Sequence, residues 1–181
     1  VATFEFPHLM RLVAECQFDT IYHEHFSYLS MTAVANVFER NGLALFDVEE
    51  ITTHGGSLRV YAQRADSGQR ERAPTVDALL ERERAAGMTT RAYYEGFQAR
   101  ANRIKDDFVA FLIEAKRAGK RVMAYGAAAK GNTLMNYAGV RGDLIAGVAD
   151  RNIAKQGKYL PGSRIPIVAE EQASAGNLPN A

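Results

Sequence analysis

Apolar residues near the start of the chain follow first a strand pattern and then a helix pattern. Residues 1–6 are rich in β-forming side chains and predict a strand that Pro7 ends. After Ser30, a residue type favoured as a helix N-cap, apolar side chains recur at helical spacing. Residues 43–48 and 58–63 predict two further strands. We therefore expect the first third of the chain to combine a small sheet with a helix.

The middle of the chain is predicted to be helical. Residues 66–73 are polar and predict a linker, and helices are predicted at 76–86 and 89–118. Apolar residues form a stripe along the second helix, whereas arginines and acids alternate elsewhere, which is typical of a solvated face. We expect these helices to join two lobes.

The last third of the chain shows the pattern that begins a nucleotide-binding α/β unit. A strand is predicted at 121–125, a loop of small residues at 126–131, a helix at 132–137 and a second strand at 145–149, which ends at Asp150. The loop lacks the glycine spacing of the dinucleotide fingerprint, and it does not have the residue order of a P-loop.

This loop nevertheless suits a diphosphate. Backbone N–H groups at a helix start attract anions, and a neighbouring lysine adds a positive charge. The candidate substrate-binding residues are Gly126, Lys130, Gly131, Asn132 and Asp150. A tight strand-to-helix turn with a solvated lysine is the alternative interpretation.

Composition and charge exclude several classes of partner. The chain has 181 residues, 47% hydrophobic and 24% charged, with a formal net charge of +1. These ordinary values predict neither a nucleic-acid nor a membrane surface. The single cysteine excludes an internal disulfide and a cysteine-based metal site. No apolar run reaches membrane length and no signal peptide is recognised, so we expect a cytoplasmic protein.

A cluster of ionisable and aromatic side chains lies between Tyr22 and Tyr28. It contains two of the four histidines of the chain, His23 and His25, with Glu24 between them. A zinc site is one interpretation, but this spacing differs from the one-turn separation of helical metal pairs. A polar structural corner is the second. We favour the third, an acid/base cluster, since imidazole has the unperturbed pKa closest to neutrality.

The other two histidines lie outside this cluster. His54 precedes Gly55 and Gly56 in a turn that predicts positive φ angles, and it is a further candidate to face an active site. His8 is expected at the surface or as a helix cap.

Three motifs together resemble the sugar C-methyltransferase family. They are YHEHFSY at 22–28, HGGSLR at 54–59 and YGAAAKGNT at 125–133, in the family's order and spread over most of the chain. The resemblance implies an enzyme that uses S-adenosylmethionine to methylate a carbon of a nucleotide-linked keto-deoxysugar. The implied partner is a nucleotide diphosphosugar. The resemblance implies no particular oligomeric state.

The resemblance also implies an α/β fold in three parts. Residues 1–66 would close a class I methyltransferase domain, residues 67–119 would form a helical linker, and residues 120–181 would form an incomplete Rossmann-like domain that binds the nucleotide sugar. The family's zinc-binding domain and its main S-adenosylmethionine loop have no counterpart in this sequence. We therefore expect that the 181 residues alone do not transfer a methyl group.

The family's catalytic residues match Tyr22, Glu24 and His25. The implied chemistry is removal of a proton next to the keto group, after which the enolate attacks the sulfonium methyl group. His25 is the predicted base, Glu24 would orient an imidazole or hold a sugar hydroxyl, and Tyr22 would donate to the enolate oxygen. His23 competes with His25 as the base, and the chemistry requires no metal.

Two other functions stay open at this point. One is a non-catalytic nucleotide-sugar-binding module. The other is a fragment of a nicotinamide-dependent oxidoreductase, which the second α/β unit alone suggests.

Overall fold

A computed structural model describes residues 1–175, and its contacts divide the chain into two units. Unit 1 contains Val1–Phe18 and Glu24–Gln98, and unit 2 contains Asp19–His23 and the described part of Ala99–Ala181.

Strands and helices alternate along much of the chain. The strands are β1 (Ala2–Pro7), β2 (Leu43–Ile51), β3 (Ser57–Arg64), β4 (Ala124–Tyr125), β5 (Val148–Ala149) and β6 (Ile167–Val168). The helices are α1 (Leu9–Ala14), α2 (Met31–Arg40), α3 (Pro74–Ala85), α4 (Phe97–Arg117), α5 (Ala129–Tyr137) and α6 (Glu170–Ala175). Short 3₁₀ turns lie at Phe18–Thr20, Thr53–Gly55 and Arg91–Tyr94. The predicted mixed α/β class is confirmed.

Unit 1 is built on an antiparallel sheet in the order β1-β3-β2. Because side chains alternate across a strand, Leu58, Val60 and Ala62 of β3 share one face, and all three are fully buried. The neighbouring positions of β3 carry Arg59 and Tyr61, which are only half-buried. One face of the sheet therefore forms the core and the other is polar.

Helices α2 and α3 cover the apolar face of this sheet. Met31 and Val34 of α2 pack with Val76 and Leu79 of α3 in the same core cluster as the strands. The predicted N-cap is confirmed, because the Ser30 hydroxyl accepts a hydrogen bond from the Ala33 amide at 3.0 Å.

Unit 2 contains a parallel sheet in the order β4-β5-β6. Helix α5 connects β4 with β5, as the pattern of small residues and alternating elements predicted. Leu112 of α4 and Met135 of α5 pack with Val148 and Ile167 of the sheet in one apolar core.

Two predicted helix boundaries are wrong. The long helix predicted from residue 89 begins only at Phe97, because the backbone turns through Arg91–Tyr94 and Gly96 takes a φ of +83°. Helix α5 begins at Ala129 rather than at residue 132, since Ala128 is already its N-cap. The predicted division at residues 66 and 119 stays a prediction, and it places α3 and α4 in a linker although each contributes to a unit's core.

Residues 1–175 contain neither a membrane-spanning helix nor a cluster of metal-ligating side chains. No helix there is long and apolar enough to cross a bilayer. The same residues contain no group of three or more histidine, cysteine or acidic side chains arranged to hold a metal ion.

Candidate functional site

The histidine motif lies in irregular backbone between the 3₁₀ turn at Phe18–Thr20 and α2. The division between the two units falls inside it, after His23. In unit 2, the Tyr22 and His23 rings lie 6.3 Å apart between centroids. In unit 1, Glu24 is exposed and His25 is half-buried. Because the loop has no regular backbone ladder, side-chain contacts contribute to its conformation.

His25 meets the glycine-rich turn of unit 1. Its ring centroid lies 6.3 Å from that of His54, and the two ring planes are nearly perpendicular at 84°. His54 has a φ of +55°, and Gly55 and Gly56 follow with +86° and +113°. The positive φ angles predicted for this turn are confirmed. The structure thus joins two motifs that are separate in sequence.

His8 is the N-cap residue of α1, which was one of its two predicted positions, although its side chain makes no cap hydrogen bond. The other predicted position, at the surface, is wrong, because this residue is 2% exposed. Its Nε2 lies 2.8 Å from Oε1 of Glu83, which is itself fully buried. The same carboxylate accepts hydrogen bonds from the Met31 amide at 2.7 Å and from the Thr32 amide at 2.8 Å. Burial raises the pKa of Glu83, but the hydrogen bonds from His8, Thr32 and Met31 outweigh burial and lower it. Glu83 is therefore ionised at neutral pH, and the His8 nitrogen donates.

A sequence signal for Glu83 existed. It stands seven positions after Val76 and four after Leu79, so it continues the apolar stripe of α3. An acid on such a stripe indicates a buried, hydrogen-bonded carboxylate. The alternation of arginines and acids obscured this signal.

The predicted diphosphate loop lies at the carboxyl end of β4 in unit 2. Gly126 has a φ of +86°, and the first intrahelical bond of α5 runs from the Asn132 amide to the Ala128 carbonyl. Lys130 and Gly131 therefore lie in the first helical turn, where backbone N–H groups have no intrahelical acceptor. The side-chain oxygen of Asn132 is buried without a hydrogen-bond partner.

Asp150 supports this loop from the end of β5. Its Oδ2 accepts the Ala127 amide at 2.7 Å and the Lys155 ammonium at 3.3 Å, and its Oδ1 accepts the Asn152 amide at 2.8 Å. The bonds from Asn152, Ala127 and Lys155 lower the pKa of Asp150. The structure thus brings together all five predicted substrate-binding residues around one strand-to-helix loop.

A second polar group lies at the same edge of the parallel sheet. The Tyr125 hydroxyl donates to the Glu170 carboxylate, and Arg151 Nε donates to the same oxygen at 3.0 Å. The bond to Glu170 raises the pKa of Tyr125, and the bonds from Tyr125 and Arg151 lower the pKa of Glu170. Sequence reasoning missed Arg151 and Glu170 because each follows a different strand.

The two units offer different chemistry. Unit 1 presents two neighbouring imidazole rings, those of His25 and His54. Unit 2 presents a helix start, lysines and an arginine at the carboxyl edge of a parallel sheet, where α/β proteins bind ligands.

Comparisons with known proteins identify the family. A protein-family model described as the C-methyltransferase C-terminal domain matches residues 52–179. C-methyltransferase NovU of Streptomyces niveus is 40% identical over 176 residues, which are 97% of this chain and 41% of that relative. The chain thus spans less than half of the relative's length. The predicted resemblance to C-methyltransferases is confirmed, and the chain belongs to the C-methyltransferase C-terminal domain family.

Proposed function

We propose that this chain is the later part of an S-adenosylmethionine-dependent C-methyltransferase that acts on a nucleotide-linked keto-deoxysugar. His25 supplies the base that removes a proton next to the keto group, and the loop that opens α5 binds the diphosphate of the nucleotide. The observation that carries the proposal is the contact between His25 and His54, because it joins two of the motifs that resemble such enzymes.

His25 is the proposed base. Its half-buried ring is held by the protein and still reaches solvent. A neutral imidazole nitrogen accepts the proton and later returns it to water. Tyr22 would donate to the oxygen that becomes an enolate, and Glu24 would orient an imidazole or hold a sugar hydroxyl. S-adenosylmethionine supplies an electrophilic methyl group when it is bound, and we assign none of the described residues to hold it.

The diphosphate is proposed to lie against the loop from Gly126 to Asn132. The N–H groups of Lys130 and Gly131 stand at a helix start, and the Lys130 side chain adds a positive charge. Asp150 is proposed to hold this loop in place through the Ala127 amide. Most of the atoms that contact the diphosphate would then be backbone N–H groups. Because these contacts involve only the phosphates, they do not depend on which sugar is attached.

The other two functions predict different ligands. In nicotinamide-dependent folds an acid after the second strand binds the ribose. Asp150 stands there, but its carboxylate already accepts Ala127, Asn152 and Lys155, which argues against that function. A non-catalytic nucleotide-sugar-binding module would bind the sugar and leave its carbon-bound protons untouched.

Hydrogen exchange at the substrate tests the proposed base. In deuterated buffer without methyl donor, the full-length enzyme should exchange the proton next to the keto group of the nucleotide sugar. We expect His25→Ala to slow this exchange by about 10²–10⁴-fold, the usual contribution of a general base.

His23→Ala is the matched control, because it removes a neighbouring imidazole from the same loop. We expect it to exchange at nearly the parental rate. Parental exchange in His25→Ala would place the base elsewhere. Absence of exchange in the parent, together with tight sugar binding, would support the binding module.

A further inference from the structure

His54 has a positive φ angle, which is uncommon for residues other than glycine. Its φ of +55° lies in the left-handed region, where an L side chain crowds the backbone. Such residues persist when their surroundings hold them, and they concentrate at functional sites. The positive φ therefore marks His54 as a candidate functional residue.

Contacts from the first segment of the chain hold this turn in place. The His8 amide donates to the Gly56 carbonyl at 3.0 Å, and the Gln17 side chain donates to the Gly55 carbonyl at 2.8 Å. A Cβ on Gly55 would lie 2.7 Å from Gln17, and one on Gly56 would lie 2.9 Å from Arg11. A side chain of α1 and one from the segment after it thus pack directly on the two glycines, and the turn has a fixed position relative to them.

The fixed turn places the His54 ring against His25. The rings meet edge to face, a favourable arrangement for aromatic pairs at this separation. The last torsion of a histidine side chain has broad, shallow minima, so its ring plane is poorly set by the backbone alone. The His54 ring packs against the His25 ring at an interplanar angle of 84°, and this contact restricts rotation of the His25 ring about that torsion.

We propose that His54 is a positioning residue, whose ring fixes the plane of the His25 imidazole so that one nitrogen faces the substrate proton. The inference rests on the proposed function of His25 as the base. The contacts that hold the glycine turn keep His54 at its positive φ, and from this position its ring reaches His25. The role is one of orientation, and alignment of reacting groups has a large effect on rate.

Two variants of His54 separate orientation from stability in the full-length enzyme. His54→Gly removes the ring and suits the positive φ, so its thermal unfolding temperature should equal or exceed that of the parent. We expect its kcat to fall by about 10-fold to 100-fold with KM unchanged. His54→Phe keeps an aromatic ring without titratable nitrogens, and we expect it to retain most of the parental kcat.

Arg164→Gly is the matched control, since Arg164 also has a positive φ, +57°, and lies in unit 2. It should leave kcat unchanged. A second measurement is the ring resonance of His25 in enzyme labelled on histidine. It should move in His54→Gly and stay close to its parental position in His54→Phe.

Parental kcat in His54→Gly would overturn the inference, and so would a Phe variant as slow as the Gly variant. The His25→Ala exchange measurement is run in parallel. If His25→Ala exchanges normally, the proposed base is wrong. If His25→Ala is slow while His54→Gly is normal, the base stands and only the role of His54 fails.

Discussion

Glu83 shows how one side chain can hold several segments of unit 1. Its carboxylate oxygens accept bonds from His8 Nε2 and from the Met31 and Thr32 amides, and the Thr32 hydroxyl adds another at 2.6 Å. The first two amides of α2 bond Glu83, and the third bonds the Ser30 hydroxyl. The start of α2 is therefore satisfied by a residue of α3.

We predict that Glu83→Gln strongly destabilises unit 1. A glutamine side chain has the same shape, but its NH₂ group would face His8 Nε2 or a backbone N–H. Two donors would then meet without an acceptor between them. Loss of one partner from a buried charged network costs about 3–5 kcal/mol, so the free energy of unfolding in urea should fall by that order.

Glu81→Gln serves as the control on the same helix. Glu81 is exposed and bonds Arg84 at the surface, so its substitution should change the urea midpoint little. Equal midpoints for Glu83→Gln and Glu81→Gln would contradict the structural role of Glu83.

The burial of His8 could not be predicted from its neighbours in sequence. Its partner stands 75 positions later, and Pro7 before it indicated only the end of a strand and the start of a helix. The cluster at 22–28 was found because its residues are contiguous. Local patterns thus locate motifs, whereas pairs distant in sequence require the fold.

At the scale of elements, periodicity predicted which segments form helices better than where they begin. The strands β1, β2 and β3 and the helices α2 and α3 lie where the patterns placed them. The start of α4 was predicted too early, since the apolar spacing continues through the turn before Gly96. The strands β4, β5 and β6 have only two residues each, although backbone hydrogen bonds such as that from Ala146 to Val122 continue the pairing beyond them.

The observed start of α5 sharpens the prediction for Lys130. Because Lys130 lies in the first turn of α5, its ammonium charge and the positive end of the helix dipole would both attract a bound diphosphate. We predict that Lys130→Ala weakens binding of a nucleotide diphosphosugar by about ten-fold or more, measured by calorimetry.

Lys120→Ala is the matched control, because Lys120 precedes β4 and thus lies at the other end of that strand. It should bind like the parent. If both variants bind like the parent, the diphosphate does not contact Lys130.

At the scale of the whole molecule, the sequence predicted two pieces of α/β structure, and each unit has its own apolar core. Each also contains a buried carboxylate whose pKa is lowered by hydrogen bonds, Glu83 in unit 1 and Asp150 in unit 2. These acids join backbone segments that are far apart in sequence.

We predict that the protein loses stability in acid. A carboxyl whose pKa is lower in the folded state stabilises the fold above its unfolded pKa, which is 4.5 for Glu83 and 3.8 for Asp150. This contribution disappears as the pH falls through the folded pKa. The free energy of unfolding, from urea titrations at stepped pH, should be flat near neutrality and fall below about pH 4.5.

Glu83→Gln should show a shallower fall over the same pH range, because its side chain no longer binds a proton. A parental slope in that variant would assign the acid sensitivity to other carboxyls.

The order of the strands in unit 1 has a consequence for folding. β3 lies between β1 and β2, although it is made after both, and it pairs β1 with Ala2 opposite Ala62 and Pro7 opposite Ser57. β2 and β3 form a local hairpin, whereas β1 must close a much longer loop, which is slower. We therefore expect the hairpin to form first and β1 to dock on it afterwards. During synthesis, we expect β1 to stay unpaired until residues 57–62 have been made, and to expose an open hydrogen-bonding edge to other chains until then.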